Sequence, residues 1–310
     1  MTRSRVLMGV GLLAFAGVFA AVAFTEGLFL SRDWLFGWLL LLLLALSLAD
    51  VKRWVRGVLF DWLPLMAVLL LYDLSHAVSR IVPITPHVYP QLDADRFLAG
   101  GRLPTLSLQH ALYRPGHPRV YDYLSWGVYL SHFFATLLVA ALLWRFAYPR
   151  FKRFRTLVVA LATAGFVTYV LFPAVPPWLA AHDGRIAPVH RIIAEIWSHT
   201  GVHPAVALFE NHDQFYNQVA AIPSLHAAYP MLLLLFFWRD GRWARLGLGL
   251  YVLAMAWALV YTGEHYLADV LIGWAYAGGV LAAVTALSRS RAAAHAPIPA
   301  AFAEEGAAGS

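Results

Sequence analysis

The sequence predicts an all-α protein, a polytopic transmembrane helical bundle of about eight helices, six of them a core, with interfacial cap loops on one side. Of its 310 residues, 61% are hydrophobic and 13% charged, about half the roughly 25% charged share of a soluble domain. Apolar stretches of roughly 17–25 residues recur, the length that crosses about 30 Å of hydrocarbon. Basic residues fall between those stretches on alternate loops, as membrane topology requires.

In chain order the spans are expected at about 6–24, 34–50, 57–78, 122–147, 155–174, 222–238, 243–262 and 266–287. Basic residues fix their orientation. Arg3 and Arg5 precede the first span; Lys52, Arg53 and Arg56 follow the second; Arg145, Arg150, Lys152, Arg153 and Arg155 follow the fourth. Arg239, Arg242 and Arg245 follow the sixth, and Arg289 and Arg291 follow the last. Positive residues stay in the cytoplasm, so both termini are expected inside, in a multi-pass protein of the plasma membrane. The first span has a rival reading: Arg3, Arg5, an apolar run and Ala21-Val22-Ala23 also describe a cleavable signal peptide.

The formal net charge of +6 is divided among loops rather than gathered into one patch, which argues against nucleic acid as a partner. Cysteine is absent, so neither disulfides nor thiolate metal sites are available. Two extracytoplasmic loops, about 79–121 and 175–221, are too long for simple connectors. Both mix Pro, His and aromatics, as in Pro83-Ile84-Thr85-Pro86-His87 and Asn211-His212-Asp213-Gln214-Phe215-Tyr216, a composition suited to caps along the interface. The expected organisation is N-terminal helices over 1–56, a membrane-embedded catalytic domain over 57–287, and a disordered cytoplasmic tail over 288–310.

Three segments reach the extracytoplasmic face together. Phe172-Pro173-Ala174-Val175-Pro176-Pro177-Trp178 ends the fifth span; its prolines stop the helix, and Trp178 suits the interface. In Ile222-Pro223-Ser224-Leu225-His226, Pro223 can open the next helix, so that Ser224 and free backbone N–H groups form an anion site at a positive dipole end. His226 stands where it can protonate a leaving group, although Ser224 as a plain helix cap and His226 as a packing residue fit equally well. In Gly263-Glu264-His265-Tyr266-Leu267-Ala268-Asp269, the spacing of four puts His265 and Asp269 on one helix face. A carboxylate on one ring nitrogen leaves the other as base or nucleophile. A metal set of His226, His265, Glu264 and Asp269 is the competing interpretation. The third span adds Asp73, His76 and Arg80, spaced to form one stripe at its outer end.

Taken together, these motifs resemble the type 2 phosphatidic acid phosphatase superfamily of membrane enzymes. Pro223-Ser224-Leu225-His226 resembles its second signature and His265-Tyr266-x-x-Asp269-Val270 its third, over roughly residues 160–287. The resemblance implies that His265 attacks phosphorus to give a phosphohistidine, that Asp269 orients it, that His226 protonates the leaving group, and that Ser224 holds a phosphate oxygen. Neither a cofactor nor a metal is implied. Two departures stand out: no Lys and Arg precede Pro173 or Pro177, and Leu259 occupies the place of an Arg six residues before His265. A branch similar to inositol phosphorylceramide synthases (inositolphosphotransferase-like) carries a Pro-Pro-Trp element like Pro176-Pro177-Trp178. Tyr72-Asp73 and Pro104-Thr105 also look like that branch.

The expected catalytic residues are therefore His265, His226 and Asp269, with Ser224 and Arg80 on the phosphate. Asp73, His76, Pro176, Trp178 and Tyr266 support them, and Arg185 and Arg191 are rivals of Arg80. The expected activity is metal-independent transfer of a phosphoryl or phospho-head group from a phospholipid or lipid phosphate. A lipid alcohol as acceptor makes a transferase; water makes a phosphatase. A proton-coupled transporter or membrane binding protein is the alternative of another class, but segments 157–174 and 243–262 lack the paired interrupted helices of repeat transporters.

Overall fold

Hydrophobic length sets the long helices, and proline and glycine set their ends. The computed structural model describes residues 3–25, 32–67, 84–199 and 217–294. Among them run α1 (Arg3–Thr25), α2 (Arg32–Leu46), α3 (Val51–Arg56) with a π-helical turn (Gly57–Trp62), α4 (Tyr89–Leu98), α5 (Pro104–Leu112) and α6 (Val120–Phe146). Then follow α7 (Tyr148–Leu171), α8 (Pro177–His182), α9 (Ile192–His199), α10 (Leu225–Phe236), α11 (Arg242–Tyr261) and α12 (Leu267–Ala294). The protein is an all-α integral membrane bundle. Among the described residues, five helices (in α1, α6, α7, α11 and α12) are long and apolar enough to cross a membrane.

α10 is the exception that positions the site. At 12 residues and about 1.5 Å per residue it is too short to cross about 30 Å of hydrocarbon alone. It packs instead against α6, α7, α11 and α12, and eight of its 12 residues are buried. Its N-terminus thus opens inside protein rather than in lipid. Gly165 on α7 allows this packing: a Cβ there would meet the Leu225 side chain at 2.9 Å.

The end of the bundle opposite α10's N-terminus gathers basic residues. Arg155 pairs with Asp61 at 3.2 Å, and Asp61 also accepts from Trp144 and Tyr148. Arg150 pairs with Asp240 at 2.8 Å. Arg53 and Arg145 donate to the carbonyl oxygens of Trp144 and Leu46. These loop cations tie adjacent helices together at that end.

α12 runs to Ala294, past Ser288 where a tail was expected, because Ala-rich sequence favours helix and Arg291 suits its last turn. The third span, expected over 57–78, is described only to residue 67, and the stripe of Asp73, His76 and Arg80 lies outside the described residues, as does Asn211–Tyr216.

Candidate active site

Three separate pieces of chain form the floor of the cap region by backbone pairing. The His87 N–H donates to Pro173 at 2.8 Å, and the Val175 N–H returns to His87 at 2.9 Å. The Ala174 N–H donates to Val219 at 2.7 Å. The proline-rich helix exit thereby sits between the first cap loop and the segment leading to Ser224. Gln91 reinforces it, its amide donating to the carbonyls of His87 and Val175.

Ser224 is the N-cap of α10: its hydroxyl accepts from the Ala227 N–H at 3.3 Å, and it is fully buried. Pro223 therefore stands before the cap, not in the first helical turn as expected; the hydroxyl takes the capping position that Ser favours. The Ser224 N–H donates to the Asp269 carbonyl at 3.1 Å, which locks the second motif to the third.

His265 lies in the turn between α11 and α12. It and Asp269 are therefore not two positions on one helix face, because α12 begins only at Leu267. The turn is shaped by Gly263, whose φ of +81° favours glycine. A Cβ there would also meet Val189 at 2.7 Å. The N–H groups of Glu264 and His265 share the Leu259 carbonyl, both at 3.1 Å. Asp269 then reaches back: one carboxylate oxygen accepts the Tyr266 N–H at 3.0 Å and faces His265 Nδ1 at 3.4 Å. The pair is buried, His265 at 6% exposure and Asp269 at 0%.

His226 projects from the first turn of α10 toward His265, with ring centroids 5.6 Å apart. Its other side is held by α6: Tyr129 stacks on it at 4.9 Å, and the His132 ring lies against it, tilted, at 4.0 Å. His132 was not anticipated from sequence. It stands on a long apolar helix with no motif around it, and only packing brings it to His226. The buried Nδ1 of His132 and Nε2 of His226 find no hydrogen-bond partner among the described residues.

Glu264 is bound by Arg191, with N–O distances of 2.9 and 3.4 Å. The Arg191 guanidinium also lies 4.2 Å over the Trp178 ring, and the Trp178 backbone N–H donates to the Gly263 carbonyl at 3.1 Å. Pro176 caps α8, and Trp178 follows it into contact. Gln109 on α5 completes the shell: it donates to the carbonyls of His190 and Tyr261 and accepts the His190 N–H, each at 2.9 Å. Tyr266 packs with Leu92 and Leu103 of the first cap. Arg185 stands exposed on the second cap.

With Glu264 engaged by Arg191, it cannot join the metal set proposed from sequence. Among the described residues, no three His, Asp or Glu side chains converge as ligands. Leu259, the position of the missing Arg, is fully buried in an apolar cluster with Tyr129, Ile193, Trp197 and Ala227. A guanidinium in that cluster would be buried among apolar groups.

A family model described as the PAP2 superfamily matches residues 103–283. A relative from Bacteroides thetaiotaomicron, phosphoinositol dihydroceramide synthase, is 30% identical over 135 residues, covering 40% of this chain and 42% of the relative. The chain thus matches less than half the length of that curated relative. No solved structure matches it.

Proposed function

Because the chain belongs to the PAP2 superfamily, that of the type 2 phosphatidic acid phosphatases, we propose that it is a membrane enzyme acting on lipid phosphates through a phosphohistidine on His265. The observation that carries this is the His226–His265 pair, two rings 5.6 Å apart at the N-terminus of α10, with Asp269 behind the second. The two rings stand side by side, so that a nucleophile and an acid can act on one phosphorus.

Asp269 holds Nδ1 of His265, which leaves Nε2 to attack phosphorus. As the N–P bond forms, the bond from phosphorus to the lipid oxygen breaks, and His226 gives that oxygen a proton. An acceptor hydroxyl then loses its proton to His226 and attacks phosphorus, and the N–P bond breaks. Ser224 and the first-turn N–H groups of α10 offer hydrogen bonds and a positive dipole end to the phosphate oxygens.

The acceptor we favour is a lipid alcohol, which makes the reaction head-group transfer; water in its place would make a phosphatase. A phosphodiester carries one negative charge where a monoester carries nearly two. A site without the Arg at position 259 suits the lower charge. The name of the Bacteroides relative, a synthase, agrees with this reading. Arg80 remains the proposed cation on the phosphate. Arg191, tied to the residue next to His265, is the rival among the described residues. The catalytic unit is proposed to occupy 57–287, with its site on the extracytoplasmic side of the plasma membrane and both termini inside.

The test is to incubate purified protein with a panel of head-group-labelled phospholipids, plus phosphatidic acid and a lipid alcohol, in the presence of EDTA. New labelled lipid that His265→Ala fails to make supports transfer. Free phosphate alone supports the phosphatase. Inactivation by EDTA, reversed by a divalent ion, would overturn the metal-free mechanism.

A further inference from the structure

The helix that carries Asp269 begins without a local cap. Its N-cap position is Tyr266, whose side chain has no short acceptor to turn back on the first-turn N–H groups. Asp269, three residues on, takes the Tyr266 N–H at 3.0 Å, one half of a capping box. The other half is missing from the segment. Glu264 is bound to Arg191 and His265 faces Asp269, so neither neighbour can supply it.

Asp95 of α4 supplies it from 172 residues away. Its two carboxylate oxygens accept the Ala268 N–H at 2.7 Å and the Leu267 N–H at 3.1 Å. The residue is fully buried (0% exposed) and sits on the face of α4 shared with Gln91 and Leu92. Leu92 packs on Tyr266, so the same face grips the turn through both backbone and side chain. The opposite face carries Phe97, 88% exposed.

We infer that Asp95 is a positioning residue of the reaction: by capping α12 from the first cap loop it fixes the turn that aims His265 at the phosphate. On its Gly263 side the turn is held by the Glu264–Arg191 pair and the Trp178 backbone N–H, whereas at the start of α12 it is Asp95 that holds the Leu267 and Ala268 N–H groups. His265 donates its backbone N–H to a shared carbonyl and its ring to a single 3.4 Å contact. A frayed first turn in α12 would carry Asp269 and the Tyr266 peptide away together, and with them the tautomer and direction of the nucleophile. α4 therefore acts on the chemistry without touching substrate. The catalytic part of this inference rests on the proposed phosphohistidine reaction; the capping part does not.

The experiment uses the full chain in detergent micelles and compares Asp95→Ala and Asp95→Asn with Asp93→Ala. Asp93 lies on the same helix but pairs only with the exposed Arg96. Amide exchange is followed at Leu267 and Ala268, and the rate at which diethyl pyrocarbonate modifies His265 is mapped by mass spectrometry. In Asp95→Ala both amides should exchange roughly 3- to 30-fold faster, the range for a lost cap. His265 should react several-fold faster, while amides in the middle of α11 keep their rates. On whichever labelled phospholipid the wild type uses, kcat should fall roughly tenfold or more with KM nearly unchanged. Asp95→Asn, which keeps one acceptor oxygen, should lie between and carries the test if Asp95→Ala does not fold. Asp93→Ala should match wild type throughout. Unchanged exchange and unchanged His265 reactivity in a folded Asp95 variant would overturn the inference. So would faster exchange with wild-type kcat, which would make the cap structural only. If the wild type turns over no lipid, the functional proposal fails, while exchange and His265 reactivity still decide whether Asp95 positions the turn.

Discussion

The backbone of Gly273 lies directly against the carbonyl oxygen of Ser224. A Cβ at position 273 would overlap that oxygen and would meet the Ala228 amide nitrogen at 3.5 Å. Two helices carrying two halves of the site touch here through backbone alone.

Gly273→Ala should therefore force α12 away from α10 and separate Ser224 from Asp269. Turnover on the labelled lipid should drop by roughly two decades, since a displacement of about 1 Å in a reacting site can cost that much. Gly278→Ala and Gly279→Ala on the same helix face open space and should leave turnover and Tm nearly unchanged. Wild-type activity in a folded Gly273→Ala protein would show that the close contact is dispensable.

His265→Ala should abolish turnover. Asp269→Asn should reduce it less, as an orienting carboxylate does elsewhere. His226→Ala should lose more rate on a lipid alkoxide leaving group than on an activated aryl phosphate, which needs no proton to leave. Acid-labile label found on His265 after rapid quenching of the wild type, and on no other residue, is the direct check.

Arg191→Ala leaves the Glu264 carboxylate buried without its cation, and such a loss costs about 3–5 kcal/mol when a pair is fully buried. Arg191 is only partly buried, so the lower part of that range or less is expected. Adding Glu264→Gln should restore most of the lost Tm by removing the stranded charge. If Arg191 also serves the phosphate, the double variant remains slow. Recovery of both stability and rate would confine Arg191 to a structural role.

Asp95 also makes stability depend on pH. Burial pushes its carboxyl up to about 6, against the opposing pull of the Ala268 and Leu267 N–H groups, and the Asp269 carboxyl adds to the rise. The folded chain then binds more protons than the unfolded chain between the ordinary carboxylate value and about pH 6. Stability attributable to Asp95 is present at low pH and is lost as pH rises through that window. Asp95→Asn cannot lose a proton there. The Tm of wild type relative to Asp95→Asn should thus fall by roughly a few degrees between pH 4.5 and 7. A pH-independent difference would show that the carboxyl titrates normally.

The chain has no cysteine, so orientation can be read with single introduced thiols. Asp183→Cys, beside α8, should react with an impermeant maleimide in intact cells, and Lys152→Cys, at the basic end of α7, should not. The opposite pattern would invert the proposed topology.

Much of the molecule follows from the sequence alone because those features are local. Apolar runs set the long helices, Pro173 to Pro177 ends α7, and the pair of histidine motifs marks the candidate site before any packing is known. What the sequence does not reveal is held by contacts between distant residues. His132 reaches His226 only because α6 packs against α10. Arg191 reaches Glu264 across 73 residues, Gln109 reaches Tyr261 across 152, and Asp95 caps α12 across 172. Even His265 and Asp269, four apart, meet across a helix start rather than along a helix face. Each of these groups is polar and must be satisfied where water is scarce. Its partner is set by which helix ends the apolar packing brings together, a property of the tertiary structure that spacing along the chain does not encode.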